Sequence, residues 1–295
     1  MGAGDFSPAR LFRYRLWIMI EPFSLQIDDA NFTGIEAGEG IPVVFLHAGV
    51  CDRRMWENQI EAVAAAGFWG IAYDRRGFGE TVSPDEGFSH LEDLEAVLDA
   101  LDVHAAVFVG CSMGGALAID FALANPERTA GLVLVGTSIS GARVPSLPPE
   151  IMQIANAMEA VEESGDVDAI NAVDTHAWLD GPLSESGRVK GAVRALFQAM
   201  NGTILRKSDM TREDRPEAAI DRMSEIDTPA LLVAGDLDFP HIVNRHDDLS
   251  EEMENAFAVV IEGTAHLPSL ERPDLFNPLL LEFLRMVTGQ ADNEQ

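Results

Sequence analysis

The feature that most constrains this chain is a rhythm. Short uninterrupted apolar runs, "IPVVFL", "AAVFV", "AGLVLV" and "ALLVAG", recur with longer helix-periodic stretches between them. An apolar run with no polar alternation suits a strand covered on both faces, because a strand with one wet face would alternate. The amphipathic stretches are then the covering helices. Repeated strand–helix units imply a mostly parallel sheet with helices on both sides, since parallel neighbours need a crossover connection.

The rhythm begins near residue 21. "FSLQI" and "NFTGIEAG" predict an antiparallel pair, and six further strands follow over "IPVVFLHA", "FWGIAYD", "AAVFVG", "AGLVLVGT", "ALLVAGD" and "AFAVVIEG". Between them, "RMWENQIEAVAAAG" has helical spacing and ends at Gly67, "HLEDLEAVLDAL" has Ser89 as N-cap, and "MGGALAIDFALANP" stops at Pro126. From 140 to 226 no strand run occurs; "EIMQIANAMEAVEE", "DVDAINAVDTHAWL" and "SGRVKGAVRALFQAMNG" all have helical spacing. The expected organisation is an α/β core over 21–139 and 227–290, a helical insertion over 140–226, and an extension without regular structure over 1–20. That extension, with "ARLFRYRLWIMI", has too short an apolar run for a signal peptide and no small-residue cleavage site.

Charge narrows the partners. Forty-nine acidic against 20 basic residues give a net charge of −29. Such a field repels phosphate backbones and anionic lipid surfaces, so neither nucleic acid nor membrane is expected as a partner. The two cysteines, Cys51 and Cys111, form no C-x-x-C motif and no disulfide framework, which fits a cytoplasmic location.

In parallel sheets chemistry collects at the carboxyl ends of the strands. Ser112 stands there, in Gly110-Cys111-Ser112-Met113-Gly114, between an apolar strand and a helix. A sharp strand–turn–helix presents the hydroxyl, the flanking glycines avoid collisions across the turn, and the helix N-terminus favours developing negative charge. A serine hydroxyl needs a base. Of the seven histidines, His266 lies in the loop after the last strand and is the candidate. His90 and His104 flank a helix and read as surface residues, and His176 reads as packing. His241 and His246, five apart, do not share a helix face well enough for a metal site. The carboxylate that orients the base must come after "ALLVAG", where Asp236 and Asp238 stand; Asp238, further out along the loop, is favoured. Oxyanion donors are expected from the amides of Met113 and Gly49, with Ala48 the rival, and His47 is expected to brace that loop. No metal and no organic cofactor is required.

Together, "FLHAG", "YDRRGFGET", "GCSMGG", "GDLD" and "GTAHLPSLERP" resemble the α/β-hydrolase superfamily, in that order and over about residues 23–288. The resemblance implies an eight-stranded, mostly parallel sheet with a helical cap over the nucleophile. It also implies a small-molecule substrate and a Ser112–Asp238–His266 triad that cleaves its carboxylic ester, lactone or thioester by acyl transfer to water. "SMGG" and "HLPSLERP" resemble the branch with enol-lactonases and meta-cleavage-product hydrolases, although Leu267 stands where many of the latter carry Trp. A C–C hydrolase of that type would need a polar cap pocket, for which Arg188, Lys190 and Arg194 are candidates against a solvated helix face. Met152, Met158, Trp178, Phe197 and Met200 are candidates for an apolar cavity or for packing between cap helices. A third reading is a hydrolase-like small-molecule receptor.

Overall fold

A computed structural model describes residues 18–143, 145–207 and 210–290. Its eight strands are β1 (Glu21–Ile27), β2 (Ala30–Ala37), β3 (Ile41–Leu46), β4 (Phe68–Tyr73), β5 (Ala106–Cys111), β6 (Thr129–Val135), β7 (Ala230–Gly235) and β8 (Ala256–Ile261). They form one sheet in the order β1-β2-β4-β3-β5-β6-β7-β8. β1–β2 and β2–β4 pair antiparallel; every other pair is parallel. The expected fold class is therefore the observed one. The long apolar runs make the central strands, and the two-residue turn at Asp28–Asp29 makes the hairpin at the edge.

Burial explains why the central runs lack polar alternation. Val43, Phe45, Val107, Val109 and Val133 face one core, with α1 (Glu57–Ala65) and α9 (Pro273–Thr288) packed on it. Val44, Leu46, Phe108, Leu132 and Leu134 face the other, under α2 (His90–Ala100), α3 (Met113–Ala124) and α7 (Pro240–Glu252). Successive side chains of one strand thus enter different apolar layers, and all must be apolar. Ser89 caps α2, accepting a hydrogen bond from the Glu92 amide.

Between β6 and β7 the described chain is helical: α4 (Pro149–Glu162), α5 (Val167–Asp174) and α6 (Gly191–Ile204). Two details differ from the periodicity. α5 does not continue as an α-helix through "THAWLD" but widens into a π-helical segment, Thr175–Asp180, that stops at Gly181. Arg188 and Lys190 precede α6 instead of lying on it, because the helix begins only at Gly191. The segment also has no common fate for its apolar residues. Phe197 and Met200 are buried in the same core as β3 and β5, Met158 and Trp178 pack around Ile151 and Phe239, and Met152 is exposed. A short helix, α8 (Pro268–Glu271), precedes α9.

Of the extension expected over 1–20, residues 1–17 lie outside the described residues; Ile18 and Ile20 pack against the core. Among the described residues no helix is long and apolar enough to cross a membrane.

Phe108, fully buried on central β5 and 4.7 Å from the Phe121 ring, tests the two-faced core. Phe108→Ala should cost about 3–5 kcal/mol of unfolding free energy, whereas Phe257→Ala on edge strand β8, where the ring is half exposed, should cost less than about 1 kcal/mol. Urea titrations of both variants check the contrast.

Candidate active site

The turn from β5 into α3 is tight because backbone meets backbone. A Cβ on Gly114 would lie 2.1 Å from Leu46 O, and one on Gly110 would lie 2.3 Å from Gly114 O. Only glycine lets α3 start this close to β3 and β5. Ser112, held between them, adopts φ 53° and ψ −115°, a region that non-glycine residues rarely occupy. Its amide donates to Val135 O at 2.9 Å, and its carbonyl accepts from Ser138 N at 3.2 Å, so the turn is also tied to the end of β6. The hydroxyl is partly exposed and makes no hydrogen bond among the described residues.

His266 and Asp238 are brought together. The imidazole Nδ1–H donates to Asp238 Oδ2 at 2.7 Å, and both side chains are almost completely buried. Asp238 Oδ1 accepts from the Phe239 amide at 2.7 Å, which fixes the carboxylate plane. With Nδ1 bearing the proton, Nε2 is left as the acceptor of the ring. The two candidate carboxylates separate cleanly. Asp236 does not reach the ring; its Oδ1 accepts from the Gly263 amide at 2.6 Å and so shapes the loop that carries His266. Gly136, at the end of β6 with φ +48°, makes room for the pair: a Cβ there would lie 3.1 Å from His266 Nδ1 and 3.4 Å from Asp238 Oδ2. Because Val135 also holds the Ser112 amide, serine and imidazole border the same strand end. Cys111 Sγ, one residue before the serine, lies 3.7 Å from His266 O.

Two backbone amides near this turn have no acceptor among the described residues, those of Met113 and Gly49. Met113 opens α3, where a helix leaves its first N–H groups without internal acceptors. Gly49 sits against it, since a Cβ on Gly49 would lie 2.6 Å from Met113 Sδ. Neither amide donates to a group among the described residues, whereas the Ala48 amide is engaged by Met55 Sδ at 3.4 Å. The loop is braced from behind. His47 Nδ1–H donates to Ala48 O at 2.8 Å, its Nε2 accepts from the Arg75 amide at 3.2 Å, and Arg75 Nη2 donates to His47 O at 3.0 Å. Burial, then the Arg75 charge, holds His47 well below the ordinary imidazole value, so it stays neutral. Asp74 binds the Arg53 guanidinium and accepts from the Arg53 and Glu80 amides, so the "YDRRGFGE" turn is structural.

A cavity of about 380 Å³ opens beside the turn, bordered by Met113, Ser138, Arg75, His90, Leu91 and Ile139 among others. His90 corrects the surface reading: it is buried at the start of α2, with its ring 5.0 Å from Phe88, because α2 packs this end against the loop after β4. Burial and the Arg75 and Arg76 charges push it down to about 3. His104, by contrast, is exposed. Arg188 and Arg194 correct the solvated-face reading. Arg194 pairs with buried Asp180 and Arg188 with buried Glu271, at 2.9 and 2.6 Å. Spacing does not show the two ion pairs, because they join residues 14 and 83 apart in the chain. Trp178, a candidate for an apolar cavity or for packing between cap helices, has its ring 4.7 Å from that of His266. Among the described residues, no group of three or more His, Cys, Asp or Glu side chains could hold a metal ion.

The comparisons with known proteins agree with this fold. The sequence model described as "Alpha/beta hydrolase family" matches residues 43–279. A non-heme chloroperoxidase of Streptomyces lividans is 29% identical over 276 residues, 84% of this chain and 92% of its own. A 2-hydroxy-6-oxononadienedioate/2-hydroxy-6-oxononatrienedioate hydrolase of Comamonas testosteroni is 29% identical over 260 residues, 84% and 89% of the two chains. Among solved structures, Est816, an N-acyl homoserine lactone degrading enzyme, superposes with a TM-score of 0.68 at 28% identity, covering 88% of this chain and 99% of its own.

His90 gives this region a pH signature. Its folded value lies below the ordinary imidazole value of about 6.5. Between pH about 6.5 and about 3 the unfolded chain therefore takes up a proton that the fold refuses, and stability falls as the pH falls. In His90→Gln the slope of unfolding free energy against pH should be shallower across that window. Chemical denaturation at a series of pH values checks it.

Proposed function

The chain belongs to the alpha/beta hydrolase family, and from that premise we propose that it is a serine hydrolase that transfers the acyl group of a small carboxylic ester, lactone or thioester to water. The observation that carries this reading is the buried Asp238–His266 pair at 2.7 Å beside a serine held at positive φ on the same sheet edge. Ser112 Oγ attacks the carbonyl carbon while His266 Nε2 takes its proton. Asp238 keeps the Nδ1 proton in place and stabilises the imidazolium that forms. The carbonyl oxygen, now an oxyanion, is held by the amides of Gly49 and Met113; the engaged Ala48 amide makes Gly49 the better donor. The intermediate collapses, the C–O or C–S bond breaks, and His266 gives its proton to the leaving group. Water, activated by His266, then attacks the acyl-serine and releases the acid.

Est816 degrades acyl homoserine lactones, and its likeness over nearly its whole length supports the ester and lactone side of this reading. The Comamonas hydrolase keeps C–C cleavage as an alternative. For that chemistry the candidate carboxylate-binding arginines have lost their support: Arg188 and Arg194 are taken up by Glu271, Asp180 and backbone carbonyls. A receptor would keep the same pair with negligible turnover.

Short p-nitrophenyl esters, a lactone series and a ring-fission dienoate should separate the three readings, with turnover expected on esters or lactones. Ser112→Ala should lower kcat by on the order of 10⁴-fold or more and abolish labelling by a fluorophosphonate, with unfolding unchanged. Parent-rate hydrolysis by that variant would overturn the assignment of the nucleophile. Asp238→Asn should cost about 10⁴-fold while Asp236→Asn costs far less, measured as kcat on the same ester.

A further inference from the structure

The π-helical segment Thr175–Asp180 ends at Gly181, and the last carbonyls of a helix have no internal donor. Here the loop that carries His266 and a single arginine fill that deficit. Trp178 O accepts from the His266 amide at 3.3 Å. Leu179 O accepts from Arg188 Nη2 at 2.8 Å, and Asp180 O from Arg188 Nε at 2.6 Å. The same guanidinium reaches across to the core: Nη1 donates to Gly263 O at 2.7 Å and Nη2 to Glu271 Oε2 at 2.6 Å. Glu271 Oε1 in turn accepts from the amide of Ala265, the residue before His266, at 2.8 Å. The Trp178 ring closes the set, 4.7 Å from the imidazole and 4.8 Å from Phe239.

Four of these contacts reach residues 263–266, to Gly263 O, the Ala265 amide, the His266 amide and the His266 ring, and each of the four comes from the helical insertion or from Glu271, which the insertion's arginine pairs. We propose that Arg188 and Trp178 are positioning residues for His266, so that the docked insertion is part of the scaffold that sets the base against Ser112. The proposal rests on the serine-hydrolase reading above. A planar fork with five donors can serve four acceptors on three elements at once, which an ammonium cannot. Asp180 leaves Arg188 free for this work, because its own carboxylate is filled by the Gly187 and Val189 amides and by Arg194. Losing the strut lets the histidine loop shift, and a displacement of about 1 Å at a reacting group costs about 100-fold in rate.

Arg188→Met, Arg188→Lys, Trp178→Phe and Trp178→Ala in the full chain test this by kcat and KM on an ester, by Tm, and by the far-downfield proton resonance of the His266 Nδ1–H bonded to Asp238. Arg188→Met should fold, lower kcat by about 100-fold with KM changed by less than about three-fold, and broaden the resonance. Arg188→Lys should not rescue it. Trp178→Phe should retain most of the kcat that Trp178→Ala loses. A folded Arg188→Met with parental kcat and an unchanged resonance overturns the proposal. Should Arg188→Met not fold, the tryptophan pair decides: equal kcat in Phe, Ala and parent overturns it, and loss in Ala alone supports it. If the parent chain hydrolyses no ester or lactone, the serine-hydrolase reading fails by itself. The resonance then still reports on the strut, its loss in Arg188→Met supporting positioning and its persistence refuting it.

Discussion

The close approach of α3 to the ends of β3 and β5 is the constraint on which the rest of this site depends. Two glycines bring backbone within contact of backbone, and the residue between them is forced to φ 53°. A strained serine of this kind costs on the order of 1–3 kcal/mol and persists only where its surroundings over-determine it. Here they do: the Ser112 amide and carbonyl are both bound to the β6 end, and the helix that follows is buried against the sheet. The same geometry exposes the hydroxyl and leaves the Met113 amide without an internal acceptor.

Around that turn the molecule uses buried polar groups as braces. His47, kept neutral by burial and by Arg75, holds the Gly49 loop from behind. Asp236 shapes the loop of His266 through Gly263, and Asp238 meets the ring itself. Glu271, whose carboxyl is raised by burial and opposed by the Arg188 charge, holds the next stretch of that loop. Each buried polar group is costly unless it is bonded, so these contacts specify one arrangement of loops that would otherwise be mobile connections.

Much of this was legible in the sequence, because periodicity and strand-end position are local properties. Continuous apolar runs marked the buried strands, and the residues directly after them contained Ser112, Asp238 and His266. Local reading failed where a contact joins distant segments. His90 sits at the start of a helix, a place where a polar residue is ordinarily solvated, yet it is buried at a cavity that Met113, Ile139 and Glu213 also border. Arg188 and Arg194 look like a charged helix face, yet Arg188 precedes the helix and both guanidiniums are consumed by buried carboxylates. Trp178 carried no signal of its contact with His266, since nothing within its own segment relates the two.

By itself, the sequence determined the fold class, the family and the short list of residues at the strand ends, because strand burial and turn chemistry are written in neighbouring residues. The tertiary structure alone decided which aspartate meets the histidine, which amide of the Gly49 loop is unengaged, and that a tryptophan and an arginine of the helical insertion bear on the histidine loop. Those outcomes depend on distances of a few ångströms between segments tens to hundreds of residues apart, and packing, not local propensity, sets such distances.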